Sequence, residues 1–426
     1  MAEEFKGKKL LILAGAGVHV KVVRAAKKMG IYTIVTDYLE DSPAKKEADE
    51  SWMYSITDVE GIVNKCREVG IDGVINFCID PAQRPYFEIC KSLGLPCYGT
   101  EKQFNILTDK IKFKKYCIEH GIDIIPDYTL EDIKCGKAEY PVFIKPAMSR
   151  GSRGQRICKN KDEAMAAFVD AEKESADGHA LCEKYMGDNQ DLGTAFFVIN
   201  GEPYLVKIGD RLLGKVEDGL HGQVMCTRLP SKFVKTFEEN VLTRVKKMIK
   251  SMGVEFGPVF MQGFVDGNTV RYYDPARRMP GGDYDLVLKE ATGFDTVKTM
   301  IHFALTGDTT VKYGEPNNCY LLNGGTALLF TISVHSGKIE KVVGLETLLE
   351  RQSVVYGRQI IEEGTVIPAS GDIQQRVAAI GAYISKDESV KEFIDQVYST
   401  YHVYDEKGED MIVSRVNIGM LERGEY

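Results

Sequence analysis

The chain has 426 residues, 44% hydrophobic and 27% charged, with a formal net charge of -8. That length exceeds one hydrophobic core and predicts roughly two to four domains, and the composition is that of a soluble globular protein. The acidic balance excludes a general nucleic-acid binder, whose footprint is basic, and no run approaches the roughly 18 apolar residues of a membrane span.

Ten cysteines are scattered from Cys66 to Cys319 with no CxxC pair, which predicts reduced thiols in a cytoplasmic protein and no disulfide or zinc framework. The first residues are too briefly apolar for a signal peptide and run directly into a strand, residues 9–13. The turn Ala14-Gly15-Ala16-Gly17, a helix over 20–29 and a strand over 31–36 closed by Asp37 follow. This βαβ opening has the layout of a dinucleotide site, but GAGVHV lacks the third glycine, so the turn equally serves the fold alone or a second substrate. A helix over 58–70, a strand over 73–77, a helix over 82–93 and a short strand ending at Tyr98 complete an α/β domain expected over residues 1–107.

A helix over 108–120 carries Lys110 in its first turn, with Gly121 at its end. Next comes YPVFIKPAMSRGSRGQRI, residues 140–157. Its apolar run is a buried strand ending in Lys145, and the loop after it packs Ser149, Ser152, Arg153 and Gly154 into a few residues. Such a loop can turn backbone N–H groups onto phosphate oxygens, with Lys145 and Arg153 adding positive charge; the alternative is a flexible hairpin with a solvated basic tip. A helix over 161–173 and a strand over 180–185 bearing Glu183 and Lys184 come next, then two strands, 194–199 and 204–208, joined by the hairpin turn Asn200-Gly201.

A long helix over 232–252 leads to strands 258–265 and 269–273, and then to DPARRMPGGDYD, which has no periodicity and the charge and glycine content of a functional loop. Strands over 327–334, 338–343 and 353–360, helices over 372–385 and 390–398, and a hairpin over 401–416 close the chain, with no catalytic pattern among them.

In order and spacing these motifs resemble the ATP-grasp superfamily of carboxylate-amine and carboxylate-thiol ligases, in its biotin-carboxylase-like branch. The resemblance implies an α/β protein with a Rossmann-like pre-ATP-grasp domain (1–107), an ATP-grasp fold of two α+β subdomains (108–316, lid subdomain about 108–186) and a C-terminal α+β cap (317–426). It assigns Lys110 and Lys145 to ATP, Glu183, Lys184 and Met186 to the hinge beside adenine, and Asp191 to the ribose. Asp274 matches a metal-binding acid. Gln262 stands where the family has a second acid and Ala276 where it has an asparagine, so magnesium, or manganese in its place, meets a poorer ligand set, to which Asp283 or Asp285 would add. Arg278, with Lys145, takes the catalytic role of steadying transferred charge, and Arg277, Gly281, Gly282 and His221 line the acceptor side. Lys215 and Arg211 are ambiguous, and a lone histidine such as His221 is as readily a loop residue.

The implied reaction joins a small carboxylic acid to an amine through an acyl phosphate, consuming ATP, in a cytoplasmic enzyme with small-molecule partners, no nucleic acid or membrane partner, and the dimerisation common in this branch. Biotin carboxylation and carbamoyl phosphate synthesis rank below it, because neither a biotin-carrier segment nor a duplicated half is seen. A different class, a nucleotide-binding regulator or sensor with a degraded metal centre, is motivated by Gln262 and Ala276. A nicotinamide enzyme built on the first glycine turn leaves Lys110, Lys145, Glu183 and Asp274 unexplained.

Overall fold

A computed structural model describes residues 5–147, 154–175, 177–187, 189–214, 223–371, 373–413 and 415–423. Strands β1 (Lys9–Leu13), β2 (Tyr32–Thr36), β3 (Glu50–Trp52) and β4 (Gly73–Ile75) form a parallel sheet in the order β3-β2-β1-β4. Leu10–Leu13 are wholly buried, as a parallel strand covered on both faces requires. Part of that cover comes from far along the chain. Helix Thr296–Thr306 lies so close that a side chain at Gly73 would run into the carbonyl of Ala304. The glycine turn is filled by the chain itself: a β-carbon at Gly15 would lie 2.4 Å from that of Ser42, and the Gly15 amide donates to Asp37 Oδ2 at 2.7 Å. The turn and the acid after β2 are therefore engaged with each other.

The second sheet, β5 (Asp127–Tyr128), β6 (Val142–Pro146), β7 (Arg156–Cys158) and β8 (Ala180–Lys184), is antiparallel in the order β5-β8-β6-β7. Helix Lys161–Glu174 covers it with Ala164, Ala167, Phe168 and Ala171 against Val142, Ile144 and Cys158. Small alanines at helical spacing let the helix approach this short sheet closely.

The third sheet takes β9 (Asp191–Ile199), β10 (Glu202–Gly214), β11 (Gln223–Leu229), β12 (Gly257–Asp266), β13 (Thr269–Ala276) and β14 (Thr326–Ser333). After the short strands β15 (Gly337–Lys338) and β16 (Lys341–Val343) come β17 (Val354–Gln359), β18 (Val366–Ile367), β19 (Arg376–Ile384) and β20 (His402–Tyr404). Eight of these strands make one sheet, β13-β12-β9-β10-β11-β14-β19-β17. The sheet therefore runs unbroken across residue 317, with β11 paired to β14 from Cys226 opposite Phe330 to Leu229 opposite Ala327. The C-terminal segment shares its backbone hydrogen bonds with the preceding domain.

Most predicted elements form within about three residues of the expected bounds. The strand expected over 204–208 extends to Gly214, and that over 338–343 splits into β15 and β16. Two others do not form. The short strand ending at Tyr98 is irregular chain, and the helix expected over 372–385 is strand β19, with helical structure confined to Ile373–Gln375. β19 lies between β14 and β17 and is buried on both faces, so its sequence shows no period-2 alternation, and its alanines mimic a helix. Gly381 allows the close contact there: a β-carbon would sit 2.0 Å from the Tyr356 ring.

Candidate active site

A cleft of about 830 Å³ opens between the second sheet and the central strands of the third, lined by Lys110, Lys145, Glu183, Lys184, Met186, Asp191, Gln262 and Asp274 among others. Of the expected nucleotide and metal residues, all eight of these converge on it from separate elements. Ser149, Ser152, Arg153 and His221 lie outside the described residues, as does Lys215. Gly154 is not part of the lining, although its neighbour Gln155 is.

Helix Lys110–Glu119 starts at Asp109, whose side chain caps the amides of Ile111 and Lys112. One helical turn separates Lys110 from Lys114, so both ammonium groups leave the same face. Lys114 Nζ reaches Glu183 Oε1 at 2.6 Å and also bonds Asp127, while Lys145 Nζ reaches Glu183 Oε2 at 2.8 Å. All three of Lys114, Lys145 and Glu183 are buried. Burial by itself raises the Glu183 carboxyl, but the two lysines prevail and hold it at about 2, fully ionised. Burial pulls Lys145 below the ordinary lysine range, and the like charges of Lys110 and Lys114 add to that pull against Glu183. Lys145 also lies 5.2 Å from the centre of the Tyr273 ring. Two lysines thus share one carboxylate, and the buried amine of Lys145 gains from any further anion brought beside it.

Lys110 pairs with Asp274 at 3.4 Å, and that carboxylate raises the lysine despite burial. Asp274 stands opposite Gln262 in the β12–β13 register, so two neighbouring strands present both groups to the cleft, as expected. Gln262 departs from expectation: its Oε1 already accepts from Arg211 Nη1 at 3.0 Å and from Tyr273 Oη at 3.0 Å. Arg211 also binds Asp191 Oδ2 at 2.6 Å and Tyr273 Oη at 2.9 Å. Gln262 thus belongs to an Arg211-centred hydrogen-bond network. Among the described residues no group of three His, Cys, Asp or Glu side chains is arranged to hold a metal ion. Magnesium held between one carboxylate and substrate phosphates fits Asp274; a second ion resting on Gln262 does not fit.

Arg278 pairs through two nitrogens with Asp80, reaching Oδ2 at 2.6 Å, and its guanidinium carbon lies 5.8 Å from the centre of the Phe260 ring. Asp80 belongs to the loop after β4 and lines the cleft, so the pair ties the first domain to the third sheet. Arg277 is corrected outright from a substrate contact. It is fully buried and donates to the backbone carbonyls of Tyr98, Phe256 and Pro258, locking chain segments together. Gly281 and Gly282 are exposed on the loop before helix Tyr284–Thr292, outside the cleft lining, and the Gly282 carbonyl accepts from Tyr356 Oη at 2.6 Å. Asp283 and Asp285 supply no missing ligand: both bond Lys21, and Asp283 also pairs with Arg358 at 3.0 Å. Sequence reasoning passed over Lys114, Asp127, Asp80 and Tyr273; only Lys114 carried a signal, the four-residue spacing from Lys110.

Residues 109–258 match the family described as carbamoyl-phosphate synthase L chain, ATP binding domain. The 2-oxoglutarate carboxylase small subunit of Hydrogenobacter thermophilus is 28% identical over 227 residues, 48% of this chain and 48% of that protein. A formate-dependent phosphoribosylglycinamide formyltransferase of Prochlorococcus marinus is 26% identical over 187 residues, 40% of this chain and 45% of that protein. The chain spans about half the length of these curated relatives. In three dimensions an L-amino acid ligase from Bacillus licheniformis superposes with a TM-score of 0.75 at 18% identity, over 94% of this chain and 99% of that one.

Proposed function

From a chain with the ATP-grasp fold, whose residues 109–258 match the family described as carbamoyl-phosphate synthase L chain, ATP binding domain, we propose an ADP-forming ligase that joins a small carboxylic acid to an amine. The observation that carries this reading is the cleft in which Lys110, Lys145 and Asp274 meet beside the Arg278–Asp80 pair. ATP lies there with its base against the strand end Glu183–Met186 and its phosphates toward Lys110 and Lys145. Asp274 would hold one magnesium ion, whose charge neutralises phosphate oxygens when bound.

The chain's own groups then do the positioning that phosphoryl transfer requires. An oxygen of the acid's carboxylate forms a bond to the γ-phosphorus, the bond from that phosphorus to the bridging oxygen breaks, and ADP leaves. Lys145 and Arg278 supply the positive charge that faces the negative charge moving between these oxygens. The amine, as its free base, attacks the acyl carbon; the bond from that carbon to the phosphate oxygen breaks, and inorganic phosphate departs with the proton the nitrogen gives up. Helix Lys161–Glu174 and the second sheet cover the nucleotide and keep out water that would hydrolyse the acyl phosphate.

The test is a screen of acid and amine pairs for ADP release by the purified protein. The proposal expects release that depends on an acid and falls to background in Lys145→Ala; turnover undiminished by that change would sink it. A nucleotide-binding sensor is the second reading, favoured by the engagement of Gln262 with Arg211 and Tyr273. ATP binding with no ADP release across the whole panel would select it.

A further inference from the structure

Among the described residues of the nucleotide cleft, Lys110, Lys145, Lys184 and Arg211 each pair with a carboxylate. Lys207 does not. It lies on β10, four residues before Arg211 and on the same face of the strand, since side chains alternate sides. It is 5% exposed, and among the described residues it has no hydrogen bond or ion pair. Its ammonium group sits 5.0 Å from the centre of the Tyr284 ring and 5.9 Å from that of Phe260, the ring on which Arg278 also lies at 5.8 Å. Lys207 and Arg278 thus approach one aromatic side chain; Arg278 is held by Asp80, and the acid that acts on Lys207, Asp285, is taken by Lys21.

A charge left this deep with only ring faces for company is costly, and apolar residues of similar size would pack there without that cost. Two cations converging on one ring are tolerable when a polyoxygen anion sits between them. We propose that Lys207, together with Arg278, binds the acyl anion of the ligase reaction, first the carboxylate of the acid and then the transferred phosphoryl group. This rests on the ligase reading, because the anion between the two is the one that reaction makes.

The electrostatics agree with the geometry. Burial first, then the like charges of Arg211 and Arg278, pull Lys207 down to about 7, with Asp285 opposing. The groups that face it are those two arginines, Asp285 and the Tyr284 ring from helix Tyr284–Thr292. An anion placed between Lys207 and Arg278 restores the protonated state.

The test is a calorimetric titration of inorganic phosphate into the full chain, with and without saturating ADP, for wild type, Lys207→Met and Lys207→Arg. Wild type is expected to bind phosphate at one site. The methionine variant should bind it at least about tenfold more weakly, the loss of a hydrogen bond to a charged group, and arginine should restore most of the affinity. Wild-type affinity should decline as pH rises through about 7, whereas the arginine variant keeps its affinity. ADP affinity should be the same in all three.

Phosphate binding in Lys207→Met equal to wild type, or no phosphate binding in wild type, overturns the inference. So does a loss of phosphate binding and melting temperature alike in both variants, which would make Lys207 a packing residue. Failure of wild type to bind ADP overturns the nucleotide reading instead, and the titration without ADP still decides Lys207.

Discussion

Lys114 and Lys145 bring their ammonium groups to a single carboxylate, Glu183, at 2.6 and 2.8 Å, whereas Lys207, equally buried, meets two rings and two arginines. The first arrangement is compensated before any ligand arrives. Its charges hold the second sheet to helix Lys110–Glu119. The second is uncompensated, so the fold carries its cost until an anion enters. The contrast separates charges that build the site from a charge kept for what binds there.

The largest expected effect breaks the compensated side. Glu183→Gln leaves two buried lysines without their carboxylate and should lower unfolding free energy by about 3–5 kcal/mol, read from urea midpoints. The pH dependence carries the same information. The folded carboxyl, at about 2, lies below its ordinary 4.5, so its contribution is complete above the ordinary value and is lost as pH falls toward the folded one. Acid titration of stability should therefore flatten in Glu183→Gln over that window; an unchanged acid limb would remove Glu183 from the account. Next in size, Asp274→Ala should reduce acid-dependent ADP release by the equivalent of about 2–4 kcal/mol in the transition state. Its melting temperature should barely move, because Asp274 is half-exposed and meets Lys110 only at 3.4 Å.

Lys207→Met tests the other side, with the opposite sign. Replacing an isolated buried charge with an apolar chain of similar length should leave stability unchanged or raise it by roughly 1–4 kcal/mol. The folded ammonium group, at about 7, lies below its ordinary 10.5, so the unfolded chain holds more protons between these values and the penalty fades as pH rises through that interval. The gain in the methionine variant should accordingly be greatest below the folded value and vanish near the ordinary one. Destabilisation at every pH would mean that Lys207 is structural.

Which of these groups could be read from the sequence follows from their separation along it. Lys145 was legible because a lysine closing an apolar run is anomalous within five residues, and Asp274 and Gln262 because the resemblance stated from the sequence places its metal positions on two neighbouring strands. Asp80 with Arg278 was not legible: the partners are 198 residues apart and meet only because the first domain docks on the third sheet. Arg277 and Arg278 are neighbours in a charged loop, yet one faces buried carbonyls and the other a carboxylate, a choice made by packing. Lys207 sits in an apolar strand without any local signal, since its environment comes from β12 and from helix Tyr284–Thr292. β19 was misread for a related reason. A strand buried on both faces loses the alternation that identifies strands, and only its neighbours show why alanine and glycine are needed there.

The smallest effect belongs to the exposed ion pair, and salt separates it from the buried one. Asp80 is 60% exposed at its side chain while Arg278 is 12% exposed, so water already screens the carboxylate. Asp80→Ala should cost less than about 1 kcal/mol of stability at low ionic strength. At about 1 M salt, where charges further apart than roughly 3 Å are screened, that difference should disappear. The deficit of Glu183→Gln should largely persist in the same buffer, because Glu183, Lys114 and Lys145 are all buried. Urea midpoints for the two variants at low and high salt decide the matter. If both deficits fell together, the Glu183 cluster would be wetter than its burial implies, and Lys145 would meet the nucleotide as a hydrated surface charge instead of a buried one.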